Sequence, residues 1–209
     1  RAMRNTPTKT FGHGAGRAAD LQYWEQTARQ IARRSTRPKI VVEKSTLPVR
    51  TAEAMEAILH ANEKNVHFEV VSNPEFLAEG TAVNDFLNPD RVVFGVASPR
   101  AEAVMRKVYA GIKAPVLVTD VKSAELIKHA SNSFLATKIA YINAVAAICE
   151  KVGADVTMVA KGMGLDPRIG NLFLRPGVGF GGFCFPKDLE AFYWLSRQKG
   201  YDFQLLKTV

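Results

Sequence analysis

The residues best equipped for covalent chemistry lie near the end of the sequence, in Gly181-Gly182-Phe183-Cys184-Phe185-Pro186-Lys187-Asp188. A cysteine where a loop enters a helix feels the partial positive charge of the helix N-terminus, which favours the thiolate. Lys187 adds positive charge. Asp188 lies four residues on, on the same face if the segment is helical, and can orient a water or accept a proton. The plain alternative for Cys184 is a small buried side chain, a role that suits Cys149 within Ala146-Ala147-Ile148-Cys149. Lys128 and Asn132, four apart among Ile127, Ala130, Phe134 and Leu135, share one helical face. On an apolar face such a lysine stabilises an oxyanion or, more commonly, runs its stem along the surface into water. Glu75 and Glu79 are spaced to share a face, or to form a solvated helix start where acids are favoured.

Two glycine clusters invite comparison with a dinucleotide fingerprint. Gly12-His13-Gly14-Ala15-Gly16 lacks the spacing, and no strand precedes it. Gly177-Val178-Gly179-Phe180-Gly181-Gly182 has the spacing but no strand before it, whereas the fingerprint needs a strand–turn–helix setting. It reads better as a loop whose backbone N–H groups approach a ligand closely.

These groups need positioning elements. Leu21, Trp24, Ala28 and Ile31 form a helical stripe over 19–34. A short buried strand follows at 39–43, then a turn at Thr46-Leu47-Pro48 and a helix over 49–61 burying Ala52, Met55, Ile58 and Leu59. Further strands fall at 67–71, 91–96 and 115–119, with a helix over 99–110. Strands alternating with helices predict a parallel α/β sheet. Ligands of such sheets bind at the carboxyl ends of the strands, which selects the loops 44–46 and 72–75. From Asp120, an N-cap residue type, the pattern is helical. One run covers 121–152 and stops at Gly153, roughly 45 Å at helical rise. A helix over 156–163, the glycine loop 176–182 and a last helix starting near Lys187 or Asp188 complete the chain. Two domains are expected, 1–119 and 120–209. The long helix is expected to bury Leu126, Phe134, Ile139, Ile142 and Val145 against a second copy.

Composition narrows the classes. The 209 residues are 47% hydrophobic and 23% charged, which excludes whole-chain disorder, collagen and coiled coil. No unbroken apolar run reaches the ~18 residues of a membrane span, and the first residues show no secretory pattern. Two cysteines make no disulfide scaffold, so a cytoplasmic setting is expected. The net charge of +8 resides in residues 1–50, which hold eleven Lys/Arg against three acids. No stacking or zinc motif accompanies it, so a solvated basic face is expected rather than a nucleic-acid site.

Asn5-Thr6-Pro7-Thr8-Lys9, Glu43-Lys44-Ser45-Thr46-Leu47-Pro48, Ser72-Asn73-Pro74-Glu75-Phe76-Leu77-Ala78-Glu79-Gly80, Asn88-Pro89-Asp90-Arg91 and Gly179-Phe180-Gly181-Gly182-Phe183-Cys184-Phe185-Pro186-Lys187-Asp188 occur in this order. Together they resemble the UDP-glucose/GDP-mannose dehydrogenase family over almost the whole chain. The resemblance implies the rear of a Rossmann-like NAD-binding domain followed by an all-α central dimerisation domain. It implies NAD-dependent, metal-independent oxidation of a sugar-nucleotide C6 alcohol to a carboxylate, with UDP-glucose first among substrates and GDP-mannose or another sugar nucleotide as the alternative. A non-catalytic dimerisation or binding module on the same scaffold is the alternative of another class.

Roles follow from the resemblance residue by residue. Cys184 attacks the C6 aldehyde. Lys128 and Asn132 stabilise the oxyanion and an ordered water. Asp188 and Thr46 support that proton network, and Glu75 acts in thioester hydrolysis. Asn5, Thr6, Pro7, Thr8, Ser45, Thr46, Glu79 and Lys187 line the NAD. Glu75, Phe76, Leu77, Lys128, Asn132, Arg168, Arg175, Gly177, Gly179, Phe180 and Gly181 hold the sugar nucleotide, with Arg168 reaching across a dimer. The family's leading strand, its G-x-G-x-x-G loop and its second α/β domain have no counterpart here. The expectation is an internal fragment, inactive alone. Phe183 stands where the family has serine.

Overall fold

The computed structural model describes residues 8–61, 65–182 and 184–209. Asn5, Thr6, Pro7 and Phe183 lie outside the described residues. Contacts group the chain into two units, Arg1–Lys128 and His129–Val209.

The first unit is an α/β sheet. It contains α1 (Gln22–Arg34), β1 (Lys39–Glu43), α2 (Thr51–His60), β2 (Phe68–Ser72), α3 (Ala82–Leu87), β3 (Val92–Gly95), α4 (Pro99–Val108) and β4 (Val116–Thr119), and ends within α5 (Val121–Val152). Strand order is β1-β2-β3-β4. Alternating side chains feed two cores. Phe68 and Val70 pack with Ala28, Ala32, Ala52, Met55 and Leu59 of α1 and α2. Val71 and Phe94 pack with Ala101 and Met105 of α4. Helices thus cover both faces, as a Rossmann-like sheet requires.

The expected parallel pairing holds for β1–β2 over five register pairs and for β3–β4 over four. It does not hold between β2 and β3, which meet antiparallel at one pair, Ser72↔Gly95. A parallel neighbour needs a crossover helix packed on the sheet. The connecting α3 buries none of its residues and performs no such crossing.

Local chemistry sets the element ends. Pro99 begins α4, and the Ser98 hydroxyl accepts from Ala101 N at 3.0 Å. Asp120 accepts from Ser123 N at 2.9 Å at the head of α5. Arg50 adopts left-handed backbone (φ 79°), so α2 starts at Thr51, two residues later than expected. The Glu125 carboxylate then receives Arg50 N at 2.6 Å and Ala52 N at 2.9 Å, doing for α2 what an N-cap side chain does. Gly95 is required by contact: a Cβ there would come within 2.5 Å of Ala124 Cβ and 2.8 Å of Val121 Cα.

The second unit holds the rest of α5, then α6 (Val156–Gly164), α7 (Cys184–Gln198) and α8 (Gln204–Thr208), with no strand among its described residues. Ile142, Ala160 and Leu174 form its core with Val145, Val156 and Met163 beside them. This corrects two members of the stripe expected for contact with a second copy, Ile142 and Val145, whereas Leu126 and Phe134 of that stripe are exposed. Ile142 is fully buried and Val145 packs in the core, whereas Phe134, Tyr141, Ile148 and Val152 are 56–70% exposed. By length and apolarity α5 would also suffice to cross a membrane, although no continuous apolar run marks it. Its buried residues include the polar Asn132 and Ser133.

Candidate active site

The first unit gathers its polar groups at the carboxyl ends of β1 and β2. Beyond β1, Lys44 Nζ donates to Asn73 Oδ1 and to Tyr109 Oη, both at 3.1 Å. Tyr109 Oη donates to the same Asn73 oxygen at 2.5 Å. Asn73 is buried, and its Nδ2 donates to Val93 O at 2.9 Å. The ends of β1 and β2, the backbone of β3 and the tail of α4 are thereby joined through one amide. Ser45 and Thr46 are half-buried in the loop this network holds.

Beyond β2, Glu75 Oε1 lies 3.1 Å from Lys128 Nζ, and the lysine is almost fully buried. The apolar face thus carries an ion-paired lysine rather than a surface one. Glu75 Oε2 accepts from Leu77 N at 2.7 Å. Lys128 Nζ also lies 5.4 Å from the Phe76 ring centroid, and Arg91 Cζ lies 3.9 Å from it. Residues 75–79 are not helical, so their spacing does not set Glu75 and Glu79 on one helix face. Glu79 and Leu77 are exposed. Thr8 pairs with Ala19 in an isolated antiparallel bridge.

One carboxyl of this unit departs strongly from ordinary behaviour. Glu43, the last residue of β1, is buried and accepts Trp24 Nε1–H at 2.8 Å. Burial raises its pKa to about 7, and the charges of Glu125 and Glu56 push the same way. Burial raises Glu125 as well, against the backbone N–H groups it accepts.

In the second unit Cys184 is the first residue of α7, half-buried and unbridged. Starting the helix there, earlier than expected, sets Cys184, Lys187 and Asp188 on one face. Asp188 is buried, pairs with Lys187, and accepts Asn132 Nδ2–H at 2.7 Å. The carboxylate therefore joins the first turn of α7 to α5, the helix that also carries Lys128 one turn before Asn132. Phe180 stacks edge-on against Phe185 at 5.8 Å. Gly177 N donates to Asn143 Oδ1 at 2.8 Å, Gly179 (φ 119°) has a backbone that favours glycine, and Gly181 is exposed. Arg175 is exposed, and Arg168 forks onto Asp166 of its own chain through Nε and Nη2.

Sequence reasoning selected the loop that holds Asn73 but gave no role to Asn73 or Arg91, and it missed Tyr109 and the Trp24–Glu43 bond. An asparagine directly after an apolar strand and before proline was the one available signal for the first. The second unit supplies a nucleophile at a helix start and a hydrogen-bonded buried acid on the same turn; the first unit supplies a buried, ion-paired ammonium; each is a group that covalent carbonyl chemistry uses. Among the described residues no three His, Cys, Asp or Glu side chains cluster as metal ligands.

Residues 3–113 match the NAD binding domain of the UDP-glucose/GDP-mannose dehydrogenase family, and residues 122–209 match its central domain. UDP-glucose 6-dehydrogenase 1 of Arabidopsis thaliana is 51% identical over 223 aligned residues, covering 97% of this chain and 46% of the plant protein. Among solved structures, a UDP-glucose dehydrogenase from Pyrobaculum islandicum superposes with a TM-score of 0.88 at 42% identity, over 91% of this chain and 45% of the other. A UDP-D-ManNAc dehydrogenase from Pyrococcus horikoshii gives 0.81 at 28%, over 97% and 47%. The chain thus spans less than half the length of the curated relatives it matches.

Proposed function

Given that the chain belongs to the UDP-glucose/GDP-mannose dehydrogenase family, we propose that it carries the catalytic residues of an NAD-dependent oxidation of UDP-glucose to UDP-glucuronate. The observation that carries the reading is the bond from Asn132 of α5 to Asp188, which pairs with Lys187 on the helical turn that Cys184 begins. NAD supplies the hydride acceptor for the two oxidation stages. The donor chemistry here suits it: hydroxyls of Ser45 and Thr46 follow a parallel strand, at the edge where such sheets bind ligands. Thr8 and Glu79, and Lys187 of the second unit, belong to the same proposed set, as do Asn5, Thr6 and Pro7.

The residues have separate tasks. The Cys184 thiolate adds to the C6 aldehyde, and the resulting oxyanion is met by the Lys128 ammonium and the Asn132 amide. At the level of a C6 acyl thioester, Glu75 and Asp188 hold water for attack on the carbonyl. Its hydrolysis releases the carboxylate and returns the cysteine. Phe76, Leu77, Arg168, Arg175 and the loop of Gly177, Gly179, Phe180 and Gly181 hold the sugar nucleotide. The exposed row Phe134, Tyr141, Ile148 and Val152 along α5 supports self-association through the helical unit. Two unbridged cysteines support a cytoplasmic setting.

NADH formation by the full-length protein, with UDP-glucose or GDP-mannose, tests the reading. UDP-glucose turnover is expected, falling by several orders of magnitude in Cys184→Ser. Preference for GDP-mannose would overturn the substrate, and near-normal turnover by the variant would overturn the chemistry.

A further inference from the structure

The segment between β2 and α3 carries Glu75 and Glu79 yet belongs to neither ladder nor helix. Side-chain contacts fix its course, and three of them converge on one place. Glu75 Oε1 meets Lys128 Nζ at 3.1 Å. Lys128 Nζ lies 5.4 Å from the centroid of the Phe76 ring. Arg91 Cζ lies 3.9 Å from the same centroid. Arg91 makes no salt bridge among the described residues, so the ring rather than a carboxylate engages its guanidinium.

We infer that Arg91 is a positioning residue for Lys128: it holds the Phe76 ring, and the ring holds the ammonium beside Glu75. The assignment rests on the dehydrogenase reading for what Lys128 then does, but not for where it sits. Phe76 is half-buried in a segment without regular structure, so few backbone constraints select its rotamer. A guanidinium on the ring selects one. Released from Arg91, the ring is free to turn, and the lysine loses its aromatic neighbour. The ammonium then opens to water.

The test compares the unsubstituted full-length protein with Arg91→Met, which keeps length and apolar stem, and Arg91→Lys, which keeps a cation. Each is labelled with limiting acetic anhydride, and acetylation of individual lysines is measured by peptide mass spectrometry. Lys122, exposed, on the same helix as Lys128 and paired with Glu53 of α2, is the internal reference. Acetylation of Lys128 relative to Lys122 is expected to rise about fivefold in Arg91→Met, the scale of one partly desolvated cation–π contact. Arg91→Lys is expected to restore most of the protection. An unchanged Lys128 rate in Arg91→Met overturns the inference. So does an equal rise at Lys122, which reports loosening of the whole fold, or a failure of Arg91→Lys to protect, which reports packing rather than charge. Turnover of UDP-glucose is measured in parallel. Arg91→Met is expected to lower kcat by a larger factor than it raises KM. Unchanged kcat beside lost Lys128 protection overturns the link to catalysis, whereas absent turnover in the unsubstituted protein overturns the dehydrogenase reading and leaves the labelling to decide the position of Lys128.

Discussion

Replacing Glu43 with glutamine should make the protein more stable at alkaline pH and change little in acid. The carboxyl is 6% exposed, one oxygen accepts from Trp24, and the other is buried without a hydrogen-bond partner. An unfolded chain releases this proton near the ordinary value of 4.5, whereas the folded chain keeps it to about 7. Between those values the folded state binds more protons, so stability falls as pH rises through the window and levels off above it. A gap of about 2.5 units corresponds to about 3 kcal/mol. Glutamine keeps a carbonyl for Trp24 Nε1–H and never ionises. Glu43→Gln should therefore be about 3 kcal/mol more stable at pH 8, and the gain should shrink to below about 1 kcal/mol at pH 5. Glu125 is raised too, but it contributes to both proteins and largely cancels in the difference. Urea unfolding of the pair at pH 5 and pH 8, followed by far-ultraviolet circular dichroism, reads the effect. A stability difference of the same size at both values would refute the argument.

Gly95→Ala should cost about 1–3 kcal/mol, because the added methyl meets Ala124 and the α5 backbone; thermal unfolding checks it, with Gly111→Ala, which meets nothing, as the control. Tyr109→Phe removes the hydroxyl shared by Lys44 and Asn73 and should cost about 1–2 kcal/mol in the same assay. In brief iodoacetamide labelling, half-buried Cys184 should react before buried Cys149; peptide mapping that finds Cys149 modified first would contradict this.

Particular residues show what could be read from the chain. The ends of β1 and α5 were legible, although β1, expected to be buried, buries only Glu43. Lys39–Glu43 is a short apolar run between turns, and α5 runs from an Asp120 cap to Gly153, whose φ of 72° stops a helix. α3 and α8 were not, because five or six residues show no periodicity and neither has a side-chain cap. The start of α7 was placed too late, past Pro186, yet proline is tolerated in a first turn, where its missing N–H has no partner to lose. Strand direction leaves no trace in a period of two, which hid the β2–β3 antiparallel pair. In the candidate site, Cys184, Lys187 and Asp188 were legible as neighbours. The Asn132–Asp188 bond closes 56 residues of chain and the Arg91–Phe76 contact closes 15, distances that no spacing rule covers.

The single register pair between β2 and β3 gives the sheet a fold line. Each parallel doublet has its own hydrogen-bond ladder, and across the line the Asn73 side chain makes the bond to Val93 that a ladder would otherwise supply. Amide hydrogens should therefore exchange in two groups, β1 with β2 and β3 with β4, through an opening that separates the doublets before either melts. Asn73 is the latch of that opening, and it is the same residue that holds Lys44 and Tyr109. A rupture of the sheet would thus be felt first at the strand ends, where ligand binding is proposed.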